Sequence, residues 1–386
     1  MKTVISGMGV ISAAGMNLPG TLETFKSGQR NGGPVSVFSS DLSHPVFEVK
    51  ELPGKWHNQG MRTLNLALCA IEEALADAGL PPDLSDFRAG VCLGTTVASQ
   101  LNDLDFYRTF RNTGDAPTEA ADRFLRGNLG EAVARYFRAK GPSLTVVNAC
   151  SSGADAIGAA FSWLKNGICD IAIAGGADEI SRIPLCGFNS LGIISEELCR
   201  PFDRERTGLN LGEGAGILIL EAEAFCRKRG REPGLYLSGY GTASDSYHLT
   251  APHPKGRGLE SALQQALAQA DISPREVCFV NAHGTATPNN DEVEGRLLAR
   301  VLGQDIRFLS TKGFTGHTLG AAGGLEAAFT AAALSKEWIP ASPGFASMDD
   351  NIPICPVTEI TPVSGRFAVS TSLAFGGTNT AIVIGM

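Results

Sequence analysis

Gly212-Glu213-Gly214-Ala215-Gly216-Ile217-Leu218-Ile219 returns later in the chain as Gly376-Gly377-Thr378-Asn379-Thr380-Ala381-Ile382-Val383. In each copy a glycine-rich turn feeds a short aliphatic run, the pattern of a buried strand entered through a tight turn. Three further pairs precede it, in the same order in both copies. Ser6-Gly7-Met8-Gly9 after Val4-Ile5 is matched by Ser238-Gly239-Tyr240-Gly241 after Tyr236-Leu237. Ala74 to Leu80 is matched by Ala266 to Ile272, each with a proline just beyond, Pro81 and Pro274. Val91-Cys92-Leu93, leading to Gly94-Thr95, is matched by Val277-Cys278-Phe279, leading to Gly284-Thr285. Four ordered pairs read as a duplicated unit. The offset between partners shrinks along the chain, so the first unit carries the additional loops. The units are placed at 1–228 and 229–386, with Arg227 to Gly234 as a polar junction.

Val4-Ile5, Ala89 to Leu93, Leu144 to Val147, Asp170 to Ala174 and Gly216 to Leu220 read as buried strands. Arg62 to Ala78, Ala154 to Lys165, Gly258 to Ala270 and Leu325 to Ser335 read as helices packed on them. This alternation predicts an α/β protein with mostly parallel sheets and two similar halves sharing one core. Residues 97–140, polar and helix-rich, are expected to form an insertion capping the first half.

The 386 residues include 40 acidic and 32 basic side chains, a net charge of −8. Without a basic run, this argues against a nucleic-acid protein. No apolar run reaches the ~18–20 residues of a membrane helix, and no secretory leader is visible at Met1-Lys2-Thr3. The nine cysteines form no CxxC and no zinc-finger spacing, so no metal is expected and a reducing cytoplasm is the simplest setting.

Cys150 stands apart from the other cysteines. Val146-Val147-Asn148-Ala149-Cys150-Ser151-Ser152-Gly153 reads as strand, sharp turn and helix start, where a helix end would stabilise a thiolate. That is the requirement for a nucleophile near neutral pH. His283, in Asn281-Ala282-His283-Gly284-Thr285-Ala286-Thr287, follows a strand, where α/β sheets build their sites. His317, in Thr311-Lys312-Gly313-Phe314-Thr315-Gly316-His317, precedes a Gly/Ala-rich helix and is the duplicated counterpart of the Cys150 turn. A two-fold duplication would bring these turns to one central site, with Lys312 as electrostatic support. The last loop, Thr371 to Asn379, contains Gly376-Gly377, which would let backbone amides form an oxyanion hole.

Together these motifs resemble the β-ketoacyl-acyl-carrier-protein synthases, in particular the elongating type II enzymes and related polyketide ketosynthases of the thiolase superfamily. The resemblance runs from Val4 to the C-terminus and includes Ala174 to Asp178, Arg200-Pro201-Phe202-Asp203 and Gly212 to Gly216. It implies a five-layer αβαβα thiolase-like fold. It implies that Cys150 takes the acyl chain, and that His283 and His317 act on the malonyl thioester of an acyl carrier protein. The backbone amides of Cys150 and Phe375 would bind the oxyanion, Lys312 and Glu326 would support the site, and Thr285 and Thr287 would lie along the pantetheine arm. A second histidine at His317 is the elongating pattern; initiating synthases carry Asn there and thiolases use a second Cys. No resident cofactor is implied, since 4′-phosphopantetheine belongs to the carrier protein. A homodimer, or a heterodimer with a related ketosynthase-like subunit, is implied as well.

The sequence departs from the family pattern in the last loop. Leu373 stands where the family has an aromatic gate, and Ala374 where it has a glycine. This predicts an altered acyl preference, such as a polyene or aryl-primed chain. The stretch from Leu185 to Arg200 is also short for the family. Two other readings are an architectural subunit of a heterodimer and a thiolase-fold acyltransferase or decarboxylase that does not elongate. An acidic carrier protein needs a local basic patch on this acidic chain. Arg62 and the group Arg108, Arg111, Arg123 and Arg126 are the candidates.

Overall fold

The computed structural model describes residues 2–53, 55, 61–96, 98, 102–119, 122 and 128–386. The first half supplies β1 (Thr3–Ser12), β2 (Ala89–Gly94), β3 (Ser143–Val146), β4 (Ile171–Asp178) and β5 (Gly214–Ala222). The second supplies β6 (Tyr236–Ser244), β7 (Val277–Asn281), β8 (Phe308–Leu309), a small ribbon of β9 (Trp338–Ile339) and β10 (Thr361–Pro362), then β11 (Phe367–Leu373) and β12 (Thr378–Gly385). The strand order is β3-β2-β4-β5-β1 in one half and β8-β7-β11-β12-β6 in the other, the same topology twice. The halves join where β1 meets β6 antiparallel, at Thr3 opposite Leu237 and Val4 opposite Tyr236.

The sheets are mixed, not mostly parallel. β2 runs parallel to β3 and β4, but β5 is antiparallel to β4 and β1. β7 is likewise parallel to β8 and β11, while β12 is antiparallel to β11 and β6. The reason is plain in the second half. Only residues 374–377 separate β11 from β12, and so short a connection can join only antiparallel neighbours. In the first half the equivalent link has grown to residues 179–213 without changing strand direction.

The helices, in chain order, are α1 (Leu18–Ser27), α2 (Arg62–Ala78), α3 (Asn102–Thr113), α4 (Leu129–Tyr136), α5 (Ser152–Lys165), α6 (Arg182–Ser190), α7 (Glu223–Lys228), α8 (Arg257–Ala270), α9 (Pro288–Leu302), α10 (Lys312–Thr315) and α11 (Ala322–Lys336). Three apolar clusters define the layers. α2 packs on the outer face of the first sheet, α8 and α9 on the outer face of the second, and α5 and α11 lie between the sheets. Every residue of α11 from Ala322 to Leu334 is buried, which its Ala/Gly-rich sequence permits.

The repeated Ser-Gly-x-Gly has a steric cause. A Cβ at Gly7 or Gly9 would lie 2.1 or 1.9 Å from the carbonyl oxygens of Ala74 or Ala70 in α2. At Gly239 and Gly241 it would lie 2.1 Å from those of Ala266 and Ala262 in α8. Strand and helix backbones meet so closely that no side chain fits in either copy. The basic junction also has a structural task. Arg229 pairs with Glu221 and donates to Ala78 O at 2.6 Å, and Arg231 donates to Asp77 O at 2.7 Å. They satisfy carbonyls that the end of α2 leaves open. Within 97–140, α4 buries Leu129, Gly130 and Val133.

Candidate active site

Cys150 sits between β3 and α5, immediately after Ala149, whose φ of 47° marks a sharp, strained turn. His283 follows β7, and His317 follows α10. Cys150, His283, His317, Thr285, Thr287, Leu373 and Phe375 all line one cavity of about 320 Å³. The two halves therefore deliver the expected residues to one place. Lys312 and Glu326 lie behind this wall, both buried.

Hydrogen bonds fix the imidazoles. The Lys312 Nζ lies 3.1 Å from His283 Nδ1 and also pairs with Glu326 Oε1. An ammonium has only donors, so His283 Nδ1 accepts and its Nε2 carries the hydrogen. The Leu319 backbone N–H donates to His317 Nδ1 at 3.3 Å, which gives His317 the same tautomer. The rings stand edge to face with centroids 5.2 Å apart. Burial, the Lys312 charge and the neighbouring His317 hold His283 well below the usual histidine range; burial and Lys312 do the same to His317. Both rings are thus neutral Nε2–H donors.

The thiol differs from the sequence expectation. Burial pushes Cys150 up to about 11, against the opposing Lys312 charge and a Phe375 N–H directed at the sulfur. The amides at the start of α5 do not rescue the thiolate, because Ser151 N and Ser152 N donate to Asn148 O and Ala149 O. Cys150 is thus held as a protonated thiol at neutral pH.

The loop after β11 is a tight turn. Gly377 N donates to Ala374 O at 3.0 Å and Ala374 N to Thr378 O at 2.7 Å. Its left-handed residues are Gly376 and Gly377, with φ of 87° and 82°, and Ala374 stays outside that region. Alanine there is unstrained. Phe375 stacks on Phe188 of α6, with ring centroids 5.4 Å apart. The short stretch after Leu185 thus supplies cavity wall through Phe188, Gly192 and Ile193.

The chain matches the β-ketoacyl synthase N-terminal domain over residues 57–225 and the β-ketoacyl synthase C-terminal domain over 236–346. It belongs to the β-ketoacyl synthase family. A 3-oxoacyl-acyl-carrier-protein synthase 2 of Synechocystis sp. is 32% identical across 99% of this chain and 97% of its own length. The ishigamide ketosynthase/chain length factor structure superposes with a TM-score of 0.94 at 29% identity, covering 100% of this chain and 99% of that one. A ketosynthase solved with its chain length factor from Xenorhabdus doucetiae gives 0.87 at 31% identity, covering 100% and 98%. The architecture is thus the thiolase-like one, and this β-ketoacyl synthase is a condensing transferase.

Three further positions, none given a role in the sequence analysis, hold the loops around this cavity. Glu294 is buried in α9 and accepts from His283 N and Gly284 N, both at 2.8 Å, and from Thr371 Oγ1 at 2.7 Å. It ties the His283 loop to β11, which leads into the Phe375 turn. Asp178, at the end of β4, accepts from Thr95 Oγ1 and from Gly320 N, both at 2.6 Å, and so anchors the His317 turn on the first half. Asn210 accepts from His317 N at 2.7 Å through its backbone carbonyl. The one available signal was the acidic spacing Asp291 and Glu294, one helical turn apart just after Pro288.

Of the proposed basic patch, Arg62 is engaged inside the fold. Its Nε donates to Glu213 Oε2 at 2.8 Å and its Nη2 to Val49 O at 2.6 Å. Arg108 and Arg111 lie on α3; Arg123 and Arg126 lie outside the described residues. Among the described residues no helix is long and apolar enough to cross a membrane.

Burial raises Glu326 to about 7, with Lys312 opposing. An unfolded glutamate loses its proton near 4.5. Between these values the folded state binds more protons, so this group's contribution to stability falls as pH rises from about 4.5 to about 7. Glu326→Gln is expected to flatten that part of the curve, as read by urea midpoints at pH 5 and pH 8. An unchanged pH slope would show that Glu326 does not titrate in this window.

Proposed function

We propose that this synthase holds an acyl group on Cys150 and extends it by two carbons with malonyl-acyl carrier protein. The observation that carries this reading is the pair of neutral Nε2–H donors beside a buried thiol in one cavity. Cys150 Sγ attacks the incoming thioester carbonyl. The Cys150 and Phe375 amides bind the resulting oxyanion, and the departing pantetheine sulfur takes the thiol proton. After exchange of carriers, His283 and His317 donate to the malonyl thioester oxygen. The carboxylate leaves as CO2, and its electron pair becomes an enolate. The enolate carbon attacks the Cys150 thioester; a C–C bond forms, the C–S bond breaks, and the thiolate regains a proton from water. The product is a β-ketoacyl-carrier protein. Neutral imidazoles suit this task because a charged ring would hold the malonyl carboxylate instead of the thioester oxygen.

The cavity has two sides. Phe188, Ile193, Leu209 and Leu373 offer apolar surface for the acyl chain, while Thr285, Thr287 and Asn290 offer polar groups for a pantetheine arm. The Thr285 and Thr287 hydroxyls are 2.9 Å apart. Neither the chemistry nor this lining calls for a resident cofactor on the synthase, since the arm arrives on the carrier protein, in the cytoplasm where such carriers work. The synthase pairs through the β3 edge with a second copy or a related subunit. Support comes from the terminal position of β3 in the sheet and from Val147, 69% exposed beside it.

Intact-mass spectrometry with acyl- and malonyl-carrier protein tests the reading. One acyl adduct followed by a product two carbons longer supports it; CO2 release without elongation would convert it to a decarboxylase. Leu373, at the cavity wall, is smaller and less flat than an aromatic gate. We infer a preference for extended unsaturated or aryl-primed chains. Leu373→Phe is expected to shift the kcat/KM ratio of polyunsaturated to saturated primers by about tenfold; an unchanged ratio would dismiss Leu373 as a selector.

A further inference from the structure

Arg30 lies in the segment after α1, far in sequence from the site, and the motif reading assigns it nothing. Its Nε donates to Gly313 O at 2.8 Å and its Nη2 to Cys199 O at 2.5 Å. Gly313 follows Lys312 in α10, a helix of a single turn whose terminal carbonyls lack helical partners. Cys199 is buried, and its Sγ–H donates to Lys312 O at 3.6 Å. Its N–H donates to Asn210 Oδ1 at 2.7 Å, and the carbonyl of Asn210 receives His317 N at 2.7 Å. One planar fork therefore grips two main chains. One leads through Lys312 to His283 Nδ1; the other leads through Asn210 to the His317 backbone. Among the described residues no carboxylate pairs with Arg30, and burial together with the Arg200 charge pushes its guanidinium down, with Cys199 opposing. An ion pair does not explain a cation here, whereas reach to two carbonyls does.

We propose that Arg30 is a positioning residue that sets the spacing between the Lys312 turn and the His317 segment, and thereby the two imidazole donors. This rests on the reading of His283 and His317 as the decarboxylating pair. Acylation of Cys150 relies on the thiol and the Cys150 and Phe375 amides, which Arg30 does not touch.

The two half-reactions therefore separate the effect. In Arg30→Gln, acylation followed by intact mass is expected to stay within about twofold of wild type, while CO2 release from malonyl-carrier protein falls about tenfold or more. The acid limb of CO2 release is expected to move up towards 6.5, because a displaced Lys312 no longer disfavours the His283 imidazolium. Arg30→Lys keeps the charge and one of the two bonds, and should lose only about threefold. It decides the matter if the glutamine variant does not fold. Equal loss of both half-reactions, or CO2 release and an acid limb matching wild type, would overturn the role of Arg30 alone. If the wild type itself releases no CO2, the reading of the histidines fails and carries this proposal with it.

Discussion

Cys150→Ala is expected to abolish the acyl adduct and to lower condensation by about 10⁴-fold or more, the scale on which nucleophile removal acts in other acyl-transfer sites. The same variant should still release CO2 from malonyl-carrier protein. The histidine tautomers are set by Lys312 and Leu319, with no bond to the sulfur. The thiol is protonated at neutral pH, so its removal takes no charge out of the cavity. Radiolabelled CO2 capture and intact mass, run on one preparation, read both halves. An adduct on the alanine variant would place the nucleophile elsewhere. Loss of CO2 release along with the adduct would mean that the histidines need the sulfur, and the division of labour drawn above would fall.

Lys312→Met has the second largest expected effect, on rate and stability together. It removes the donor that fixes His283 Nδ1 and the charge that adds to burial in keeping both rings neutral. CO2 release is expected to fall about 10²-fold, a size typical of losing one aligned donor. The acid limb should rise towards 6.5. The sign follows from Lys312 disfavouring imidazolium; without it the rings charge at higher pH and donor competence is lost sooner on acidification. The variant also strands Glu326. Removing one partner of a buried ion pair costs about 3–5 kcal/mol, but a carboxyl already near 7 can take up a proton instead. The loss should therefore be larger at pH 8 than at pH 6, by urea denaturation. Adding Glu326→Gln should recover stability without recovering rate. Recovery of rate in that double variant would show that Lys312 serves the fold alone.

The duplication was legible because close packing writes itself into sequence. Gly7, Gly9, Gly239 and Gly241 have no room for a side chain, so the same pattern had to persist in both copies. Cys150 and His283 were legible because each follows a strand end, and His317 because it sits between Gly316 and the glycine-rich start of α11. The strand directions were not, since an apolar run reads the same whichever way it points; only the short link from Leu373 to Thr378 could have revealed them. The protonated state of Cys150 was hidden for a related reason. Its neighbours in sequence promise free helix amides, and only the three-dimensional turn shows them engaged. Asp178 and Arg30 act through main-chain contacts at long sequence separation, where side-chain motifs leave no trace.

The turns before α5 and α11 occupy equivalent places about the pseudo-two-fold relation of the two halves, yet one now holds a thiol and the other an imidazole. Neither half can thus be exchanged for the other by rotation. Divergence after duplication has turned a symmetric scaffold into a directional one, in which the acyl donor and the extender meet the same axis but different residues.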